Sequence, residues 1–211
     1  MIIQCDFDGT IIENNLSVLI REHFAPEAWR DTEKDYLEGR ITVEESNERQ
    51  FALIKDPKEE LQEFVRCHIN VRKGFPEFAA NCEEEGNPLV IVSSGLDFYI
   101  EVVLGELGIF DIELYCGKTE FTKKGIIVRY TDHMRNGIKH GFKVSYLNWL
   151  KQRDKNVIYI GDGLSDLEAA HNASYVFATG HLAKLLNEEH VPWSSFNKFN
   201  DIGDKLALLK L

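Results

Sequence analysis

Short apolar runs that end in polar residues alternate along most of the chain with apolar positions at helix spacing. The runs are typical of buried strands in a parallel sheet, and they cover residues 2–5, 88–92, 112–116, 157–160 and 175–178. Apolar side chains recur at helix spacing over residues 75–82, 96–107 and 142–150. This alternation predicts an α/β fold, with an open, doubly wound and mostly parallel sheet that is covered on both faces.

The longest interruption of the alternation is the segment 14–71, whose pattern is wholly helical. Thr42 and Glu45 form a capping-box sequence, and Asp56 followed by Pro57 predicts an N-cap with proline at the first helical position. The segment is too long for a loop and too small for a comfortable core of its own. We therefore expect a small helical cap domain, inserted after the first strand and packed over the sheet, and we call it the cap segment.

A second interruption lies near residues 118–140. Apolar residues on both sides of Lys123-Lys124-Gly125 predict a β-hairpin there. Without the cap segment, residues 1–13 and 72–211 make up the predicted core domain, and the hairpin is an insert within it.

Charge and cysteine content narrow the function classes. With 24 basic and 35 acidic residues the net charge is −11, which repels nucleic acid and anionic lipid, so we expect neither as a partner. No stretch approaches the roughly 20 apolar residues of a membrane span, and the first residues lack the basic region of a signal peptide. The four scattered cysteines show no CxxC spacing and indicate reduced thiols in a cytoplasmic protein. The sequence predicts no oligomeric state.

Three predicted strands end in unusual polar clusters. They read Asp6-Phe7-Asp8-Gly9-Thr10, Ser93-Ser94-Gly95 and Gly161-Asp162-Gly163-Leu164-Ser165-Asp166. Because ligands bind at the carboxyl ends of parallel strands, the clusters converge if the strands are neighbours. Asp6, Asp8 and Asp162 then crowd together, and at ~4 Å each like-charge pair costs about 1 kcal/mol in water and several times more in a drier site. A divalent cation offsets that repulsion best, and hard oxygen ligands without His or Cys favour Mg²⁺.

Ser93-Ser94-Gly95 and Lys143 predict a phosphate site beside these acids. The serine cluster lies at the predicted start of a helix, where a hydroxyl and free N–H groups suit a phosphate. Lys143 supplies the local positive charge that a phosphorylated substrate needs on so acidic a protein. Each motif alone is typical of a turn, a helix cap or a surface lysine. Matched acidic motifs at two strand ends favour a functional site.

These motifs resemble the signatures of the haloacid dehalogenase-like superfamily, in the right order and over nearly the whole chain. Asp6 to Thr10 is similar to the first signature, Ser93 to the second, Lys143 to the third, and Gly161-Asp162-Gly163 with Asp166 to the fourth. The resemblance implies a Rossmann-like core and a cap of the phosphoserine phosphatase-like branch. Asp8 favours phosphate over halide chemistry, since the dehalogenases of the superfamily lack this acid.

Residue chemistry and the resemblance together imply a Mg²⁺-dependent phosphatase acting on a small-molecule phosphate ester. Asp6 would attack phosphorus and form an aspartyl-phosphate. Asp8 would protonate the leaving alkoxide and then take a proton from water. The metal ligands implied are the Asp6 carboxylate, the Asp8 carbonyl and Asp162.

The remaining motif residues would bind and position. Lys143, Ser93 and the N–H groups near Ser94 and Gly95 would hold phosphate oxygens. The resemblance implies that Asp166, outside the direct metal ligands, orients Lys143 or a metal-bound water. It also implies that Thr10 positions Asp8 or the phosphate.

Two cap positions bear on the substrate. Phosphoserine phosphatases bind the substrate's amino group with a Glu and its carboxylate with an Arg, and the corresponding positions here are Asn15 and Gln50, with Arg49 beside the latter. An amide does not replace bidentate guanidinium recognition. The sequence therefore disfavours phosphoserine, unless Arg49 takes the place of Gln50.

The phosphatase branch of methionine salvage, which acts on 2-hydroxy-3-keto-5-methylthiopentenyl-1-phosphate, is a closer likeness. It shares the Ser-x-Gly-x-Asp-Phe pattern of residues 93–98 and the cap context of residues 24–29, but often carries cysteines before the lysine, where this chain has none. The loop residues His133, Arg135, Lys139 and His140 either contact substrate or form a solvated basic loop. Phosphocholine- and phosphoethanolamine-type phosphatases share much of the pattern and stay open.

Two other classes of protein need weighing. A response-regulator receiver also uses an aspartyl-phosphate on an α/β sheet, but it is shorter, lacks a cap and carries its acceptor on a middle strand. A non-catalytic phosphometabolite-binding protein on the same fold is the alternative from another class, and the complete set of catalytic side chains argues against it.

Overall fold

The computed structural model describes residues 1–208, and their strands form one seven-stranded sheet. The strands are β1 Ile2–Cys5, β2 Leu89–Leu96, β3 Glu113–Thr122, β4 Gly125–Arg129, β5 Val157–Gly161, β6 Tyr175–Ala178 and β7 Ser194–Ser195. Their order is β4-β3-β2-β1-β5-β6-β7, and every neighbouring pair is parallel except β3 and β4. The predicted open, mostly parallel α/β fold is confirmed.

Ten α-helices surround this sheet within residues 1–208. They are α1 Leu16–Phe24, α2 Trp29–Leu37, α3 Val43–Phe51, α4 Lys58–Cys67, α5 Phe75–Glu84, α6 Asp97–Glu106, α7 Phe142–Arg153, α8 Leu167–Asn172, α9 Gly180–Glu188 and α10 Phe199–Leu206. A 3₁₀ turn at Leu164–Asp166 precedes α8. None of the helices in the described part of the chain is long and apolar enough to cross a membrane.

The centre of the sheet brings three strand ends together. β1, β2 and β5 are buried along their whole length, as near-continuous apolar runs in a parallel sheet should be. β1 lies between the other two, with Ile3 paired to Leu89 on one side and to Ile158 on the other. The carboxyl ends of all three strands therefore meet at one edge.

Four helices, α1 to α4, occupy the cap segment. Asn15 caps α1 by accepting a hydrogen bond from the Val18 amide at 2.9 Å, and Thr42 accepts one from the Glu45 amide at 3.1 Å. The Glu45 carboxylate accepts from Arg49 instead of closing the predicted capping box. That these helices form a domain of their own stays a prediction.

The predicted start of α4 was wrong by one residue. Pro57 has extended backbone angles (φ −62°, ψ 147°) and is the N-cap itself, so Asp56 lies outside the helix and the first helical residue is Lys58. Proline fixes only φ, so Asp-Pro in the sequence does not decide between these two positions.

The β3–β4 hairpin connects the sheet to the cap segment. β3 first runs parallel to β2 and then continues as an antiparallel pair with β4, from Lys118 opposite Arg129 to Thr122 opposite Gly125. At its tip Gly125 has φ +137°, and a Cβ atom there would overlap the carbonyl of Ala52 just after α3. The hairpin thus packs closely against the cap segment.

Candidate active site

A cavity of about 200 Å³ lies where the three strand ends meet the cap segment. From the core, its lining includes Asp6 and Asp8 after β1, residues 93–95 of β2, Asp162 after β5, and Lys143 in the first turn of α7. Side chains of α1, α2 and α3 form the other wall. The structure thus brings together the polar clusters that the sequence places at strand ends.

Lys143 holds its ammonium group between two carboxylates. Its Nζ lies 2.7 Å from Asp6 Oδ1 and 2.5 Å from Asp166 Oδ1, and it donates to Ser165 Oγ at 3.1 Å. Burial disfavours this charge, yet Asp166 and Asp6 raise the pKa of Lys143 above its ordinary value. The lysine therefore stays charged and fixes Asp6 in one orientation.

Asp166 uses all of its acceptor capacity within the protein. Its Oδ1 accepts from Lys143 and from the Tyr159 hydroxyl at 2.6 Å. Its Oδ2 accepts from the amides of Asp162 at 2.9 Å and Gly163 at 2.8 Å. A carboxylate has about four lone-pair sites, so Asp166 positions Lys143 and the Asp162 loop and has no site left for a ligand.

Asp6 and Asp162 form the open part of an acidic cluster. Their carboxylate oxygens and one from Asp166 lie within 4.8 Å of one another. Burial, and then the nearby Asp166, raise the pKa of Asp162 to about 7 and that of Asp6 well above its ordinary value. Such mutual repulsion among oxygen donors fits a hard divalent cation.

Gly9 and Thr10 hold the Asp162 side chain in this cluster. Gly9 has φ +76°, and a Cβ there would overlap the Asp162 carboxylate. The hydroxyl of the buried Thr10 donates to Asp162 Oδ1 at 3.3 Å. The family resemblance implied that Thr10 positions Asp8 or the phosphate, whereas its hydroxyl bonds to Asp162.

Asp8 faces the cap segment. Its Oδ2 accepts from the Tyr99 hydroxyl at 2.5 Å and its Oδ1 from the Leu16 amide at 2.8 Å. Burial raises the pKa of Asp8, while Tyr99 and Leu16 oppose that shift. A carboxyl with a raised pKa that is held by two donors is suited to proton transfer.

Tyr99 lies in the site, although the sequence pattern marks it only as one of the apolar positions of a helix. Its ring is fully buried in the core while its hydroxyl reaches Asp8. A buried tyrosine hydroxyl needs a hydrogen-bond partner. A tyrosine among the apolar positions of a helix was therefore the sequence signal that could have identified Tyr99.

Residues 93–95 belong to β2 and directly precede Leu96, which is the N-cap of α6. β2 continues through them to Leu96, with irregular pairing to β3 between Val92 and Leu96, and α6 begins only at Asp97. Ser93 Oγ accepts from the Gly95 amide at 2.9 Å. All three residues line the cavity.

The cap wall contains a buried cation that the sequence did not reveal. Arg21 on α1 is 4% exposed and donates from Nη1 to Ser17 Oγ and to Asn47 Oδ1, both at 3.1 Å. Its Nη2 lies 3.7 Å from Glu33 Oε2. The cavity therefore has positive charge on both walls, from Lys143 and Arg21.

The two cap positions compared with phosphoserine phosphatases carry no charge into the cavity. Asn15 lines it but uses its side-chain oxygen to cap α1. Gln50 is buried and donates to Glu33 at 2.8 Å. Arg49 is half exposed and pairs with Glu45 at 2.5 Å, so it does not take the place of Gln50.

The basic loop lies apart from the cavity. His133, Arg135, Lys139 and His140 are all exposed, and none of them lines it. His133 stacks on Trp149 with ring centroids 5.2 Å apart. This placement favours the solvated loop over substrate contact.

Comparison with known proteins identifies relatives over the whole chain. The family model for haloacid dehalogenase-like hydrolases matches residues 3–171. The 2-hydroxy-3-keto-5-methylthiopentenyl-1-phosphate phosphatase of Geobacillus thermodenitrificans (strain NG80-2) is 34% identical, over 100% of this chain and 97% of its own. The enzyme of the same name from Brevibacillus brevis (strain 47) is 31% identical over 96% and 93%.

Among solved structures, a phosphoserine phosphatase in a form described as a phospho-aspartyl intermediate analogue is similar in fold. It has a TM-score of 0.72, with 97% of each chain covered and 17% identity. At that identity the likeness concerns the fold alone.

Proposed function

The chain belongs to the haloacid dehalogenase-like hydrolase family and is a phosphoric monoester hydrolase, and from that premise we propose that it hydrolyses 2-hydroxy-3-keto-5-methylthiopentenyl-1-phosphate through an aspartyl-phosphate on Asp6. The observation that carries the proposal is the pairing of Asp6 with Lys143, 2.7 Å apart at the base of a cavity beside Asp162. Whole-length similarity to two phosphatases of that name supports the choice of substrate.

The proposed reaction has two steps that use this chain's own carboxylates. An oxygen of Asp6 attacks phosphorus, the bond to the ester oxygen breaks, and Asp8 gives its proton to the departing alkoxide. Asp8 then takes a proton from water as the water attacks the aspartyl-phosphate, which releases phosphate and restores Asp6. Lys143 and Ser93 bind the phosphoryl oxygens, whose negative charge is redistributed during both steps.

The acidic cluster fits Mg²⁺, and we assign the Asp6 carboxylate, the Asp8 carbonyl and Asp162 as its ligands. Asp166 is not assigned as a ligand, because its lone pairs are already filled by Lys143, Tyr159 and two amides. When bound, the ion neutralises phosphoryl oxygens and the repulsion between the carboxylates.

The lining of the cavity combines polar and apolar side chains, which suits a substrate that carries both polar and apolar groups. The name of the proposed substrate places the phosphate on carbon 1, oxygens on carbons 2 and 3, and a methylthio group on carbon 5. Polar side chains such as Ser17 and Asn47 line the cavity together with the apolar Val18, Leu37 and Val43. The four cysteines are free thiols, which supports a cytoplasmic location for this small-molecule enzyme.

Phosphate release from a panel of esters tests the proposal. The panel contains p-nitrophenyl phosphate, phosphoserine, phosphocholine, phosphoethanolamine and the proposed substrate, each with Mg²⁺ and with EDTA. We expect the highest kcat/KM for the proposed substrate and no turnover in EDTA.

The Asp6→Asn variant should lose at least about 10³-fold in kcat, since an amide is a poor nucleophile, and a cooperative thermal transition should show that it still folds. Asp111→Asn, the same change at an exposed loop position, is the matched control. Full activity of Asp6→Asn would refute the assignment of the nucleophile. Tight binding of these esters without any Mg²⁺-dependent release would favour a non-catalytic binding protein.

A further inference from the structure

Three polar side chains of the cavity carry buried atoms without a hydrogen-bond partner among the described residues. They are the Nε of Arg21, the Oγ of Ser46 and the Oγ of Ser94. Buried polar groups are almost always paired, because leaving them unpaired costs free energy. Three of them around one cavity indicate that a ligand supplies the missing partners.

The free groups of this set are hydrogen-bond donors. Arg21 has only N–H groups to offer, and a serine hydroxyl can donate its proton. Asn47 is already engaged, since its Oδ1 accepts from Arg21 while its Nδ2 donates to the Ser94 carbonyl and the Tyr130 hydroxyl, both at 2.8 Å. Arg21 Nε requires an acceptor, and an acceptor oxygen is the one kind of partner that suits all three groups.

Charge restricts that partner further. The Arg21 guanidinium is nearly fully buried, and a second cation placed beside it would be repelled in a poorly screened site. Glu33 also lines the cavity, but its Oε2 already accepts from Gln50 at 2.8 Å and faces Arg21 at 3.7 Å. The set is thus matched to a neutral or anionic oxygen and not to an ammonium group.

The three unpaired groups lie near the proposed phosphate-binding end of the cavity. Asn47 links Arg21 to the Ser94 carbonyl, and Ser94 adjoins Ser93. A ligand oxygen that reaches Arg21 and these hydroxyls therefore lies close to the phosphoryl site.

We propose that Arg21, Ser46 and Ser94 form a specificity subsite for a carbonyl or enol oxygen near the phosphorylated carbon of the substrate. The inference rests on the proposed phosphatase function and deepens it, because it assigns the choice of ester to named residues of the cap wall and of β2. The subsite selects keto phosphate esters over plain alkyl esters and over amino esters.

Two esters that differ by one carbonyl test the subsite. Hydroxyacetone phosphate and propyl phosphate have the same carbon chain, and 2-aminoethyl phosphate adds the ammonium case. For the Mg²⁺-loaded wild type we expect kcat/KM to be at least about tenfold higher for the keto ester than for either other ester, as hydrogen bonds to a charged donor allow.

Variants of Arg21 and Ser46 test whether these two residues cause the preference for the keto ester. Ser46→Ala should lower the ratio of keto to alkyl kcat/KM by about three- to tenfold, the range of a single hydrogen bond. Arg21→Lys keeps the charge but loses the planar set of donors, and it should lower the ratio by at least about tenfold. Ser195→Ala, the same change as in Ser46→Ala at an exposed position outside the cavity, should leave the ratio unchanged.

Thermal melting accompanies each variant. Ser46→Ala removes a hydroxyl that has no partner, so we expect this variant to fold. If Arg21→Lys does not fold, the ratio measured for Ser46→Ala alone tests the subsite. A merely structural role would alter turnover of the two esters alike and leave their ratio fixed.

Three results would overturn the inference while the phosphatase function stands. They are equal wild-type kcat/KM for the keto and alkyl esters, a preference for the amino ester, and ratios that neither variant changes. Absence of Mg²⁺-dependent release from every ester, including the panel above, would overturn the proposed function and this inference with it.

Discussion

Replacing Asp162 by asparagine should stabilise the metal-free protein while it abolishes the response to Mg²⁺. Asp162 is confined by Gly9 and Thr10 in a cluster with Asp6 and Asp166. Asparagine has the same shape, and its side-chain oxygen can still accept from Thr10. The substitution therefore removes the charge and little else.

The magnitude follows from the pKa of Asp162, which rises from an ordinary 3.8 to about 7 in the folded protein. A carboxyl whose pKa is raised holds its proton more tightly when folded, so the stability that Asp162 contributes is fully present below about pH 4 and is lost as the pH rises to about 7. The difference is about three pH units at about 1.36 kcal/mol each, so ionised Asp162 destabilises the metal-free fold by up to about 4 kcal/mol.

Thermal denaturation in EDTA and in Mg²⁺, at pH 5.5 and pH 8, measures this effect. In EDTA at pH 8 we expect Asp162→Asn to melt up to roughly 8–16 °C above the wild type, given about 2–4 °C per kcal/mol for a chain of this size. Mg²⁺ should raise the Tm of the wild type at pH 8 and leave that of the variant nearly unchanged. Asp111→Asn again serves as the exposed control.

Two outcomes would contradict this reasoning. One is a variant that melts at or below the wild type in EDTA at pH 8, which would mean that the Asp162 charge is stabilised by the fold. The other is a wild type whose Tm in EDTA is the same at both pH values.

Two further substitutions test contacts described above. Tyr99→Phe removes the 2.5 Å hydrogen bond to Asp8 and should lower kcat by about 10- to 100-fold with little change in KM; an unchanged kcat would show that Asp8 needs no such support. Gly125 has φ +137°, and a Cβ there would meet the Ala52 carbonyl, so Gly125→Ala should lower the free energy of unfolding in urea by about 1–3 kcal/mol. At Gly137 a Cβ would meet nothing within 4 Å, so Gly137→Ala should lower it by less than about 1 kcal/mol. Equal losses for the two glycines would rule out the close packing of the hairpin tip on the cap segment.

The sequence predicted the sheet and its acidic edge because both follow from local pattern. β1 and β5 are unbroken apolar runs directly followed by Asp6 and Asp162, and strand ends in a parallel sheet meet at one edge. Lys143 was predicted to lie beside these acids because a phosphate site on so acidic a protein needs local positive charge, and its Nζ lies 2.7 Å from Asp6 Oδ1.

The parts that the sequence did not predict depend on contacts between distant residues. Arg21 meets Asn47, 26 positions along the chain, and nothing local marks an arginine on an amphipathic helix as buried. Ser93 to Gly95 continue β2 because β3 pairs with the strand beyond them, which overrides the turn propensity of Ser-Ser-Gly.

The hydrogen bonds of Asn47 have a consequence for engineering. The Asn47 side-chain amide joins Arg21 on α1 to the Ser94 carbonyl near the end of β2, and Tyr130 donates to the same carbonyl at 2.6 Å. A foreign cap transplanted onto this core would therefore disturb the carboxyl end of β2, where we propose that phosphate binds, unless it brought an amide to the same point. New substrate specificities on this scaffold are better sought by changing single side chains on α1 and α3 than by exchanging the cap segment as a module.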